Sequence, residues 1–159
     1  MALAVVATIG YGQTPQQRYL AYATYVDPPA LRTDLAVDIA VGATGELCAT
    51  SGLYMMKINP DGSVAYEIPY STLSGFQIAV PIAVAIDSSG NCYLAGDGTI
   101  VPTPGAYQSA KKGSTPMFIM KFDTQGNVSF ATYLSGSGGD APTGITADLH
   151  GNLWIAPGR

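Results

Sequence analysis

Five segments of this chain repeat one plan: an apolar strand, a turn built around glycine, and a second apolar strand. Self-similarity of this kind decides the architecture before any single element is assigned. Residues 82–86, the turn Asp87-Ser88-Ser89-Gly90-Asn91 and residues 92–96 form the clearest copy. Residues 144–147, Asp148-Leu149-His150-Gly151-Asn152 and residues 153–156 form another. Residues 38–41, Gly42-Ala43-Thr44-Gly45-Glu46 and residues 47–50 form a weaker third. These alternate with a second kind of hairpin, residues 54–66, which aligns with residues 118–130. The last strand of that module occurs once more, since Tyr22-Ala23-Thr24-Tyr25-Val26 matches Phe130-Ala131-Thr132-Tyr133-Leu134. Gly45 and Gly62 lie 17 residues apart whereas Gly90 and Gly126 lie 36 apart, and one insertion at about residues 97–116 absorbs the difference.

The turns have a physical basis. Asp or Asn opens a type I turn by bonding to its own backbone, and glycine then takes the position that needs a positive φ. The product is a hairpin closed by a one-residue bulge. Strands rich in Val, Ile, Tyr and Phe flank these turns, and no stretch combines helical periodicity with caps. The chain is therefore predicted to be all-β. Four-stranded units recurring along a chain predict a β-propeller, whose small twisted sheets pack face to face. The expected blades cover residues 36–69 and 81–134, an incomplete one covers 143–159, and an extra outer strand covers 19–26. That is an incomplete arc of about two and a half to three four-stranded antiparallel blades.

At this point the residues resemble a family. The run Val101-Pro102-Thr103-Pro104-Gly105-Ala106-Tyr107-Gln108, then Phe118-Ile119-Met120-Lys121-Phe122-Asp123, then residues 130–140, is similar to the bacterial SBBP-type β-propeller repeat. Ile86-Asp87-Ser88-Ser89-Gly90-Asn91 fits its next turn. The resemblance covers about residues 19–156 and implies exported or cell-envelope proteins of bacteria, with no catalytic residues to transfer. It also implies seven blades, from which this chain departs. An open arc leaves an apolar face at each end, and such faces drive association. The partners this predicts are missing blades of a longer chain or further copies of this one.

Composition narrows the function. Seven Lys and Arg against eleven Asp and Glu, without a basic cluster, exclude an electrostatic nucleic-acid footprint. One His and two Glu leave most catalytic and metal constellations impossible to assemble. Residues 1–17 read as the remainder of a secretory signal or a disordered start: Met1 to Gly10 is an apolar run, although no basic segment precedes it. The run is far shorter than the ~20 residues that span a bilayer. Cys48 and Cys92 face each other by parity, yet packed sheets stand ~10 Å apart and a disulfide needs Cα atoms within ~7 Å. Two buried free thiols are the expectation.

Alternating strand direction places the tight glycine turns on one rim. The irregular loops 27–35, 70–80, 97–116 and 135–142 fall on the other. Binding residues concentrate on such loops, so the second rim is the candidate binding face. Its candidates are Tyr107, Lys111 and Lys112 for an anionic or glycan ligand, weighed against a merely solvated loop. Asp140 and Asp34 occupy corresponding loops, but without the spacing of a calcium loop they read as solubilising charges. Asp61, Asp87, Asp123, Asp148 and His150 read as turn residues. Trp154, Tyr93 and Phe118 read as core between sheets, and Lys57 and Lys121 as snorkelling strand-edge residues. No catalytic residue, metal or cofactor is predicted. The expected role is a non-enzymatic binding or scaffold module with a protein or glycan ligand, secreted or in the cell envelope. A propeller lyase or hydrolase with its residues in absent blades, and a purely structural repeat, are the rival readings.

Overall fold

A computed structural model describes residues 8–11, 18–22, 36–114, 116–138 and 141–158. Strands β1 (Thr8–Tyr11) and β2 (Arg18–Tyr22) pair antiparallel as a two-stranded ribbon. The expected outer strand over 19–26 thus begins at Arg18, and its partner is a segment that reads in the sequence as part of a leader. Sheet I follows as a meander of β3 (Ala36–Val41), β4 (Leu47–Ser51), β5 (Tyr54–Ile58) and β6 (Val64–Pro69). Sheet II repeats it with β7 (Gln77–Ile86), β8 (Cys92–Thr99), β9 (Met117–Phe122) and β10 (Val128–Tyr133). Sheet III holds only β11 (Pro142–Ala147) and β12 (Leu153–Pro157). The described residues contain no α-helix, only a single 3-10 turn at Tyr70–Thr72.

The same backbone geometry closes all five hairpins. Residue i donates its N–H to the carbonyl of i+4, as Asp87 does to Asn91 at 3.0 Å, and the glycine at i+3 bonds back to residue i, as Gly90 does to Asp87 at 2.9 Å. The five glycines have φ between 78° and 93°. Where the turn reads Asp-x-x-Gly-Asn, the aspartate Oδ1 also accepts from the backbone N–H groups of i+2 and i+4, at 2.8–2.9 Å in the turns opened by Asp87, Asp123 and Asp148. The aspartates are structural because each carboxylate satisfies donors that a hairpin end would leave to solvent.

Alternation along these strands gives each sheet two usable faces. Strand β7 lies against β3 and β4 on one side and β11 on the other. Between sheets I and II the core contains Met55, Leu94, Phe118, Met120 and Phe122, all fully buried, with Tyr66 and Ile68 at its margin. Each such side chain contributes roughly 1.5–3 kcal/mol of transfer free energy. Between sheets II and III, Ala85, Tyr93, Ala95 and Ile119 meet Ile145, Ala147, Leu153 and Ile155. Tyr93 and Phe118 are core, as expected. Trp154 is not: it lies on the far side of β12 and is 63% exposed.

The cysteines correct the sequence expectation. Cys48 and Cys92 form a disulfide with a Cα–Cα distance of 5.9 Å, so there are no free thiols. The parity argument holds and the distance argument fails, because ~10 Å is a mean for broad faces and the two sheets approach more closely than that at this bond. Small Ala40 lies opposite Cys48 in register, while Phe122 lies opposite Cys92. Val84 also donates its backbone N–H to Asp38 Oδ2 at 2.8 Å across the interface.

Two outcomes follow for stability. Replacing both cysteines by alanine removes a cross-link spanning 44 residues, with an expected loss of about 2–4 kcal/mol in denaturant unfolding. Gly151→Ala, where an added Cβ meets nothing within 4 Å, costs only the left-handed strain of about 1–2 kcal/mol. Gly126→Ala costs measurably more in the same assay, because its Cβ would press on Tyr66 and Ile68 at 3.0 Å.

Candidate functional site

The two rims differ in how their charges are spent. On the turn rim, burial would push the Asp87 carboxyl up. Hydrogen bonds from Asn91, Lys121 and Tyr93 outweigh it and hold the group at about 2. Lys121 Nζ lies 3.2 Å from Asp87 Oδ2 and 5.1 Å from the centre of the Tyr93 ring. Lys57, itself buried, donates to the carbonyl of Gly90 in the next sheet's turn. Glu46 accepts from Thr44 Oγ1, and with Lys57 nearby its carboxyl lies below the usual range despite its burial. The two lysines anchor turns, which is more than the snorkelling expected of them. His150 is exposed in its turn.

The loop rim is organised differently. Strands β7 and β8 run further toward it than the sequence suggested, starting at Gln77 and ending at Thr99. The insertion beyond Thr99 is a strap, not a free loop. Thr103 N–H bonds the Ala131 carbonyl at 3.0 Å, and Tyr133 N–H bonds the Gln108 carbonyl at 3.1 Å, so the strap pairs with the outer edge of β10. The Tyr133 hydroxyl donates to the Ile100 carbonyl at 3.1 Å and accepts from the Ile100 N–H at 2.9 Å. Gly98 N–H reaches the Pro116 carbonyl at 3.2 Å and ties the ends together. The strap also protects an edge strand from unwanted pairing.

Two clefts open on this rim, on either side of Gln77 and Ile78. The larger, about 330 Å³, is bounded by β7, β8 and the strap and includes Asp97, Thr99, Lys111 and Ser114. The smaller, about 270 Å³, lies between Leu53, Tyr70 and Phe76. The loop at Gly75 abuts Val101 of the strap, so the clefts share one surface. Asp97 is its distinctive group: Oδ1 is buried without a hydrogen-bond partner, and burial raises its pKa. A buried acceptor left unpaired costs free energy until a donor reaches it.

Of the residues singled out in the sequence, Lys111 lines the larger cleft. Lys112 is exposed beside it, and Tyr107, 82% exposed, stands outside the cleft. Asp34 and Asp140 lie outside the described residues. The sequence reading missed Asp97 and Gln77. Asp97 carried a signal, as an acidic residue directly after the apolar run 92–96 with none of the turn spacing that explains Asp61, Asp87, Asp123 and Asp148.

No protein-family model matches this chain. No curated protein matches it either. Among solved structures, it is similar to a protein of unknown function from Bacteroides caccae, with a TM-score of 0.53 and 15% sequence identity. The match covers 95% of this chain and 48% of that one, so this chain spans about half of its neighbour's length. At that identity the likeness is one of fold.

A folded-state pKa raised above the unfolded 3.8 means that Asp97 costs the fold nothing while protonated in both states, and that the cost grows as pH rises through 3.8 and is complete above the raised value. Asp97→Asn, neutral throughout, should therefore raise Tm at pH 7, and the gain should shrink toward pH 3. Equal gains at both pH values would show that the carboxylate is not desolvated.

Proposed function

We propose that this chain is a non-catalytic binding module, an arc of an exported bacterial β-propeller of the SBBP type, that takes a hydroxyl-bearing ligand such as a glycan on its loop rim. The reading rests on one observation: Asp97 Oδ1 is buried without a donor in a cleft that Lys111, Thr99 and Ser114 also line. A sugar hydroxyl supplies the missing donor and leaves its oxygen to accept from Lys111 or Gln77. The scaffold around the cleft is rigid, since both walls are strand backbone and the third is a strap bonded to β10. Function placed on loops held by such a frame is a general pattern.

Two further features support the arc and the export. First strands β3, β7 and β11 stack in series, as consecutive blades of a propeller do. The disulfide joining sheets I and II is of a kind that persists in oxidising compartments. A non-enzymatic role fits the accounting of acids, because Asp61, Asp87, Asp123 and Asp148 are bound up in turns.

The test is a glycan array probed with the full chain, followed by titration of the best hit. Asp97→Asn and Lys111→Ala should each weaken binding about tenfold or more, one charge-assisted hydrogen bond's worth. Tyr107→Ala should have little effect. Unchanged affinity in both cleft variants would place the ligand elsewhere.

A further inference from the structure

The smaller cleft is built as firmly as the larger, and the ligand contacts named above leave it empty of a role. One wall is the turn between β4 and β5. Ser51 Oγ accepts from the backbone N–H groups of Leu53 and Tyr54, at 3.2 and 3.1 Å, and fixes that turn. The turn presents Leu53, 49% exposed, to the cleft. The other wall is the connection from sheet I to sheet II. Tyr70 N–H bonds the Leu53 carbonyl at 2.9 Å. Leu73 N–H then bonds the Tyr70 carbonyl and Phe76 N–H the Leu73 carbonyl, both at 3.1 Å. The Tyr70 hydroxyl, buried, shares a hydrogen bond with Thr50. Phe76 is half-buried, packing on the core between sheets I and II while lining the cleft.

The two clefts belong to opposite faces of sheet II. Leu94 packs toward sheet I, whereas Ala95 packs toward sheet III. Asp97 lies two residues beyond Ala95 with unbroken register to β9, so alternation turns it to the sheet III side. Tyr70 and Phe76 lie on the sheet I side. The first residues of β7, Gln77 and Ile78, run between the clefts and border both. The exposed side chain on that divide is the Gln77 carboxamide, which carries two donors and an acceptor. The spacing of the clefts is fixed, because the loop before Phe76 abuts the strap at Val101 and the same strap supplies Lys111 and Ser114 to the larger cleft. Their chemistry differs: one is polar around Asp97, the other apolar around Leu53, Pro69 and Phe76.

We infer that the two clefts are adjoining subsites for one oligosaccharide, with consecutive sugar units on either side of Gln77. The unit in the larger cleft donates a hydroxyl to Asp97 Oδ1. The glycosidic link crosses β7 within reach of the Gln77 carboxamide. The next unit lays a C–H face against Leu53 and Phe76, since the face of an aromatic ring is electron-rich and attracts C–H hydrogens. That contact selects configuration. A pyranose offers an unbroken C–H face only where its hydroxyls are equatorial, so β-linked gluco-configured units fit and units with an axial hydroxyl do not. Volumes of about 330 and 270 Å³ suit two units of similar size. The inference rests on the sugar reading of the Asp97 cleft and adds to it the length of the ligand and the configuration of its second unit.

The test is an NMR titration of the full chain with methyl β-D-glucopyranoside, cellobiose and β-1,4-galactobiose. Cellobiose should bind about tenfold tighter than the methyl glucoside. Galactobiose, with an axial hydroxyl on each ring, should show no such gain. Phe76→Ala and Leu53→Ser should each remove most of the cellobiose gain and leave the methyl glucoside affinity unchanged. Leu53 stands exposed on its turn, so its variant keeps the test open if Phe76→Ala loosens the core. Asp97→Asn should weaken the methyl glucoside and cellobiose alike. Equal affinity for those two overturns the inference, as does a gain that survives in Leu53→Ser, or no binding by any of the three sugars. Binding that ignores ligand length yet falls in Asp97→Asn would remove the second subsite and leave the first. Binding that ignores Asp97→Asn would remove the sugar reading itself.

Discussion

The hairpin turn with glycine in the left-handed region is the constraint on which the rest of this structure depends. Five connections use it, and each sets both the bulge and the twist of the strands that leave it. With the turns fixed, the parity of every following residue is fixed too, since side chains alternate and a slip by one would turn the core outward. Cys48 and Lys57 then face sheet II, and Cys92, Phe118 and Met120 face back toward them.

The same turns account for the contrast between the rims. Each Asp-x-x-Gly-Asn turn uses its carboxylate internally, and Lys57 and Lys121 finish what the turns leave over. That rim is electrostatically closed. The loop rim has no recurring chemistry, because its connections differ in length and one of them is bent into a strap over β10. Asp97 is left at the foot of that strap with a buried, unpaired oxygen. An acidic group placed at a stability cost, in a cleft that Lys111 also lines, is the feature on which the proposed binding role rests.

The disulfide shows where average spacings mislead. A sheet separation of ~10 Å describes faces carrying large side chains. Here Cys48 and Cys92 stand 5.9 Å apart between their Cα atoms, with small Ala40 opposite Cys48 in register, so the local approach is closer than the mean.

Period-2 alternation, turn chemistry and internal repetition are local, and from sequence alone they determined the strands from β3 onward and their order, while β1, read as part of a leader, was missed. Sheets I and II and the two strands of sheet III fall where the repeat predicts them, because a hairpin needs only neighbours in the chain. What tertiary structure alone decided is how the sheets approach. It joined Cys48 to Cys92, left Trp154 outside, wrapped the insertion along β10 and buried one oxygen of Asp97. Each of those depends on which surface covers which across tens of residues, and no local pattern in the chain encodes that distance.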